Sequence, residues 1–254
     1  MQGLAAQTIF AIVIENLTKD YGDVRAVDGL SLSIPEAEVF GLLGPNGSGK
    51  TTTINCLTGL IKPTGGTLQV SGHDVQTESS KVRAVMGVSP QETAVFPHLT
   101  GRENVELFGA LYSVPKKTLG SGVDHVMEKV GLMDEAGRRV SKYSGGMKRR
   151  VSIAMALVQD PRIVLLDEPT VGMDPQSRRA IWDFIMELRD KGKTIVLTTH
   201  YMEEAEELCD RVGIIDHGKL IALGSPAELK SQYSARDLED VFIQLTGRRI
   251  REGA

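Results

Sequence analysis

The sequence predicts an α/β fold with a mixed, largely parallel sheet, an N-terminal antiparallel β-subdomain and an inserted helical subdomain. Three observations carry this. Val39–Leu43, Ile163–Leu166 and Thr194–Thr199 read as strands buried on both faces, the habit of a parallel sheet. Between Ile9 and Ile34, β-branched and apolar residues are interrupted by turn signals at Asp20-Tyr21-Gly22-Asp23 and Asp28-Gly29, which suits antiparallel strands. From about Phe96 to Gln159 the signals are helical, with strand signals on either side.

The bulk numbers narrow the field. A chain of 254 residues holds one large α/β domain or two small ones. A formal net charge of −4 gives no overall basic field and argues against nucleic acid as a partner. Two cysteines, Cys56 and Cys209, lie far apart without metal spacing; they suit a reducing compartment and read as core or near-core thiols. No uncharged apolar run approaches membrane-spanning length, and Met1–Ile14 lacks the basic start of a secretion signal. The expectation is a cytoplasmic chain that another protein would have to anchor if it works at a membrane.

Taken in order, Ile9–Leu17 is the first strand, and Tyr21 falls on the turn after it. An exposed aromatic there could stack on a base, or be an ordinary hairpin aromatic. Val24–Ile34 reads as further short strands around Asp28-Gly29. Val39–Leu43 then delivers the stretch FGLLGPNGSGKTTT, and Thr51–Leu60 reads as the start of a helix. The pattern from Gly44 through Gly49 and Lys50 to Thr51, between strand and helix, is a phosphate loop. Gly44, Gly47 and Gly49 let the backbone wrap close to an anion. The loop N–H groups and the helix dipole would face phosphate oxygens. Lys50 would reach the β- and γ-phosphates and the Thr51 hydroxyl would hold Mg2+. The core is thus expected to be that of a P-loop NTPase.

Gly65, Gly66, Leu68, Val70 and Gly72 suggest another antiparallel piece. Val85–Val88 reads as a short strand delivering Gln91 to a loop at its C-terminal end, the edge where open α/β sheets bind ligands. Thr100 and Glu103 form a capping box. Val123, Val126, Met127 and Val130 have helical spacing, and Ser144-Gly145-Gly146 opens a helix over Met147–Val158. Ile163–Leu166 ends in Asp167-Glu168. Two acids at the end of a buried strand are costly without cations or protons to handle. Asp167 can hold Mg2+, and Glu168 can orient and deprotonate water. Asp174-Pro175 is an N-cap with proline at the first helical position; that helix runs to Lys191, with Trp182 as packing. His200 ends the next strand at the same sheet edge and could bond a γ-phosphate; standing alone, such a histidine is more often structural. Glu203, Glu204, Glu206, Glu207 and Asp210 read as a solvated acidic face, and Lys148–Arg150 as a solvated basic one. Val212–Ile215 pairs with Leu220–Leu223. Short helices come next at Ser225-Pro226-Glu228 and around Leu238–Leu245, before a basic end at Arg248, Arg249 and Arg251.

These motifs together resemble the ATP-binding subunit of an ABC transporter, over about Ile12–Thr246. The resemblance rests on GPNGSGKTT (Gly44, Pro45, Asn46, Gly47, Ser48, Gly49, Lys50, Thr51, Thr52), the Q-loop Gln91 and the signature YSGGM at Tyr143–Met147. It rests also on LLDEP at Leu165–Pro169, the D-loop VGMDP at Val171–Pro175 with Asp174, and the switch histidine His200. It implies ATP as substrate, Tyr21 stacked on adenine, and Mg2+ held by Thr51, Asp167 and Gln91. Glu168, His200 and Lys50 would be catalytic. Ser144, Gly145 and Gly146 would grip the γ-phosphate held by a second copy of the chain, in a head-to-tail dimer. It implies an ATP-binding core over 9–95 and 160–224, a helical subdomain over 96–159 carrying the signature, and a helical tail over 225–254.

Tyr143 and Met147 replace the outer residues of the usual Leu-Ser-Gly-Gly-Gln, while the anion-binding centre is intact. This variant, with HYMEEAEELCDRVGII and LEDVFIQLTGR, resembles the exporter branch that includes daunorubicin-type drug resistance ATPases. A separate transmembrane permease would be the partner, with the chain on the cytoplasmic face. Ala37 stands where the family often has glycine, which suggests a different local turn. The rival readings are weaker. A non-transport relative acting on nucleic acid or ribosomes would carry two such domains or a long heptad insertion. A GTP switch would carry an Asn-Lys-x-Asp motif, absent here.

Overall fold

The computed structural model describes residues 9–247; the basic end at Arg248, Arg249 and Arg251 lies outside the described residues. The chain opens with a long hairpin, β1 (Phe10–Tyr21) and β2 (Val24–Pro35), then enters the core at β3 (Val39–Leu43) and α1 (Lys50–Leu57). β4 (Gly65–Val70) and β5 (His73–Asp74) complete a four-stranded antiparallel sheet in the order β2-β1-β4-β5. α2 (Ser79–Val85) leads into β6 (Met86–Ser89). Next come α3 (Gly101–Leu111), α4 (Lys116–Lys129), a 3-10 turn at Val140–Lys142 and α5 (Gly145–Leu157). β7 (Ile163–Asp167), α6 (Pro175–Asp190), β8 (Thr194–Thr199), α7 (Met202–Leu208), β9 (Arg211–Asp216) and β10 (Lys219–Gly224) return to the core. α8 (Pro226–Gln232) and α9 (Leu238–Thr246) close the described chain.

The second sheet has the order β10-β9-β3-β8-β7-β6, parallel throughout except for the β9–β10 hairpin. Its central strands β3, β7 and β8 are buried on both faces, and their period-two alternation sorts side chains into two cores. Phe40, Leu42, Ile163, Leu165 and Val196 face the antiparallel sheet and α1. Leu43, Val164, Leu166, Ile195 and Leu197 face the layer built from α5, α6, α7 and α9. Both cysteines are buried; burial pushes the Cys56 thiol up to about 11 and the Cys209 thiol well above its ordinary value, so neither is a ready thiolate.

Several local expectations change. β2 does not break at Asp28-Gly29. Leu17 faces Leu30 while Lys19 faces Val27, so the pair is absorbed as a bulge, with Gly29 at φ +66° and the Asp28 N–H bonded to the Gly218 carbonyl at 2.9 Å. Ala37 takes φ +57°, a left-handed geometry that favours glycine. α1 ends at Leu57 because Gly59 turns the chain at φ +70°. Val85 ends α2, and the strand begins one residue later than the sequence suggests; α2 itself buries only Val82, too little apolar pattern to read.

Candidate active site

β3, β8 and β7 are adjacent and parallel, so the loops that leave their C-terminal ends all emerge on one edge of the sheet. Leu43 pairs with Thr199 and Asp167 with Thr198. That register sets the phosphate loop, His200 and Asp167-Glu168 side by side, and β6 adds Gln91 from the far side of β7.

The loop's glycines are dictated by space and by dihedrals. A Cβ on Gly44 would lie 2.3 Å from the Ile215 carbonyl oxygen, and one on Gly49 2.5 Å from that of Ala26. Gly47 and Gly49 sit at φ +80° and +108°. The β9–β10 turn braces the loop from behind, with Gly218 N–H bonded to the Ser48 carbonyl at 2.9 Å. Gly49 is the N-cap of α1, with no side chain capping the first turn and no acid in it. Its first N–H groups have no partner within the helix, as phosphate binding needs. Lys50 is 5% exposed and its ammonium donates to the Gly44 and Pro45 carbonyls at 2.7 and 3.1 Å. Burial lowers its pKa, while Glu168 and Asp167 oppose the shift. Among the described residues the buried Ser48 Oγ has no hydrogen-bond partner. A cationic, glycine-lined cradle with bare donors fits a polyphosphate.

Glu168 is the hub beside it. Its Oε2 accepts from Gln91 Nε2 at 3.2 Å, and its Oε1 lies 3.1 Å from His200 Nδ1. The His200 hydrogen bond, followed by the His200, Lys50 and Arg149 charges, holds its pKa below the ordinary value against desolvation. It is therefore ionised at neutral pH, and since a carboxylate only accepts, Nδ1 carries the histidine proton. The backbone of Glu168 is left-handed at φ +53°, and its N–H donates to the Thr198 carbonyl and hydroxyl at 3.1 and 2.9 Å. Thr51 Oγ1 stands 3.5 Å from Gln91 Oε1. Asp167 is buried and accepts from the Thr198 hydroxyl.

Asn46, Gly47, Gly49, Lys50, Thr51, Thr52, Gln91 and Glu168, with Ala26, line one pocket of about 300 Å³. The other named residues do not line it. Tyr21 is 46% exposed at the end of β1, with the Lys19 ammonium 4.8 Å over its ring. Asp174 caps α6, accepting from Ser177 N–H at 2.9 Å. Ser144 caps α5, accepting from Met147 N–H at 3.2 Å. Ser144 and Gly145 are exposed, and a Cβ on Gly145 would meet nothing within 4 Å, so the start of this helix is open to an approaching group. The Tyr143 hydroxyl bonds the Glu135 carbonyl, and a Cβ on Gly101 would lie 2.4 Å from it. The signature's outer substitution thus packs inside the helical layer.

Two readings of charge are overturned. Glu204 is not part of a solvated face. It is 1% exposed, and its Oε1 accepts from Thr170 Oγ1 at 2.7 Å and Trp182 Nε1 at 3.0 Å. Trp182 therefore packs and donates. Glu206 accepts from Lys230 Nζ at 3.0 Å and Leu238 N–H at 2.6 Å, fastening the C-terminal helices to α7. Nor is Lys148–Arg150 a solvated face: Arg149 is 4% exposed, and Arg150 donates to the Val130 and Gly131 carbonyls at 3.0 and 2.9 Å. The sequence signal for Arg149 is its place four residues before Ile153 on a helix whose second half is buried all round.

Comparison with known proteins places the chain among relatives of known family. The family described as ABC transporter matches residues 27–171. The linearmycin resistance ATP-binding protein of Bacillus subtilis is 43% identical over 238 residues, covering 94% of this chain and 75% of the relative. The daunorubicin/doxorubicin resistance ATP-binding protein of Streptomyces peucetius is 44% identical over 228 residues, covering 90% and 69%. Among solved structures, a dimeric post-hydrolysis ATP-binding cassette bound to ADP and Pi superposes with a TM-score of 0.78 at 27% identity, covering 84% of this chain and 98% of that one.

Proposed function

The chain belongs to the ABC transporter family as its ATP-binding, ATP-hydrolysing subunit, and we propose that it drives a separate exporter permease by closing on a second copy of itself around ATP. One observation carries the reading. The phosphate cradle and Glu168 share a pocket, while Ser144-Gly145-Gly146, a helix start able to bind an anion, opens to solvent away from it. A second copy placed head to tail would bring its signature to this chain's γ-phosphate, and Asp174 would lie near the seam. The exporter assignment leans on the two resistance ATP-binding proteins above and on a Nod factor export ATP-binding protein of Ralstonia nicotianae, 43% identical over 229 residues.

In this reading Tyr21 stacks on the adenine, and residues 44–52 hold the phosphates. Thr51, Gln91 and Asp167 supply oxygen ligands of the kind Mg2+ takes. The hydroxyl and amide oxygens of the first two already converge at 3.5 Å. Bound there, Mg2+ would neutralise phosphate charge. Glu168 orients the attacking water and takes its proton; each carboxylate oxygen has one protein partner and a further lone pair free for water. Lys50 leaves its loop carbonyls for the γ-phosphate. His200 can donate Nε2–H to that phosphate as an imidazolium, or once its Nδ1 proton no longer serves Glu168. The work is positioning and electrostatics, as phosphoryl transfer requires. Among the described residues no helix is long and apolar enough to cross a membrane. In the proposal the permease holds the chain at the cytoplasmic face, and nucleic acid plays no part.

The test is specific ATPase activity against protein concentration, with Ser144→Arg alongside. Activity per chain should rise with concentration, and the variant should bind ATP yet not turn it over. Constant activity at every dilution, or an active Ser144→Arg, overturns the shared site.

A further inference from the structure

Arg149 is a buried cation with an unusual set of partners. Among the described residues no carboxylate pairs with it. All its hydrogen bonds go to backbone carbonyls: Nη1 to those of Pro90 and Gln91 (the latter at 3.0 Å), Nη2 to that of Asp167, and Nε to that of Pro169 at 3.3 Å. Burial lowers its pKa, and the charges of Asp167, Glu168 and Glu204 oppose the shift. A buried guanidinium is expensive to desolvate unless its donors are satisfied. Here a planar fork divides them between two separate segments.

Those segments are the ones hydrolysis depends on. Pro90 and Gln91 form the loop after β6, and the Gln91 side chain bonds Glu168. Asp167 and Pro169 bracket Glu168, whose φ of +53° is a conformation L residues rarely adopt. The carbonyls on both sides of that residue are therefore held from outside the sheet. The holder sits in the first turns of α5, the helix capped by Ser144. A shift of α5 when Ser144 engages a phosphate would carry Arg149, and through it both segments.

We propose that Arg149 is a positioning residue for ATP hydrolysis. It locks Gln91 and Glu168 into one geometry and ties that geometry to the signature helix. The inference rests on the reading of Glu168 as the base that activates water. Lysine cannot replace it, because three donors on one nitrogen do not span the two segments.

The experiment compares R149K and R149M in the full chain for kcat, KM for ATP, ATP affinity and thermal midpoint, alone and combined with Q91A. A misplaced base should lower kcat on the order of 10²-fold with KM and ATP affinity nearly unchanged, R149K losing less than R149M. The loss combined with Q91A should fall short of the product of the single losses, because both changes disturb the same base. A strut with no catalytic consequence would lower the midpoint and leave kcat per ATP-binding molecule intact; that result overturns the proposal, as does a fully multiplicative combination. Should R149M not fold, R149K decides by the same outcomes. Native turnover in Glu168→Gln would defeat the underlying reading instead, whereas an inert Glu168→Gln beside native-like Arg149 variants defeats this inference alone.

Discussion

Replacing Glu168 by glutamine separates chemistry from architecture. The side chain is buried, with one partner on each oxygen: Gln91 Nε2 at 3.2 Å and His200 Nδ1 at 3.1 Å. Glutamine has the same shape. Its carbonyl can keep the Gln91 contact while its amide donates to His200 in the other tautomer, so folding stability should change by no more than about 1 kcal/mol. The carboxylate proposed to take the water proton is lost. General-base catalysis contributes roughly 10²- to 10⁴-fold, which at about 1.4 kcal/mol per decade adds about 3–5 kcal/mol to the barrier. Phosphate release at saturating ATP should fall by that factor. ATP binding should survive, and size-exclusion chromatography with ATP should show an accumulated dimer. Turnover like that of the native chain would refute the argument, since among the described residues no other carboxylate lines the pocket.

Three other substitutions probe separate parts of the molecule. Gly44→Ala should abolish ATP binding with the fold retained, measured by nucleotide titration and circular dichroism, because the added Cβ meets a backbone carbonyl at 2.3 Å that cannot yield without moving the loop. Glu204→Ala should leave the Thr170 and Trp182 donors unpaired and cost roughly 2–4 kcal/mol, read in chemical denaturation by the fluorescence of the chain's one tryptophan. Glu187 is held down to about 2, first by Lys129 and then by Lys191, below its ordinary 4.5. Its stabilisation is therefore complete above the unfolded pKa and lost as pH falls through about 2. The pair is a third exposed, so it is worth no more than about 1 kcal/mol. Glu187→Gln should lower stability at neutral pH by that amount and make it less dependent on pH between 4.5 and 2.

The candidate nucleotide site was legible because its parts are local. The phosphate loop is written in glycines whose dihedrals and crowding forbid a side chain. Asp174 and Ser144 are caps set by their immediate neighbours, and the carboxylates of Asp167 and Glu168 end a run of residues too apolar for anything but a buried strand. Spacing cannot say which surface of a polar segment another element covers. Glu204 and Arg149 sit in runs of like charge that read as solvated. Only packing α7 beside α6, and α5 against β6 and β7, decides that the first becomes the acceptor for Trp182 and the second a clamp on backbone carbonyls. The cost of burying a charge is set by partners distant in sequence, so that decision belongs to the tertiary structure.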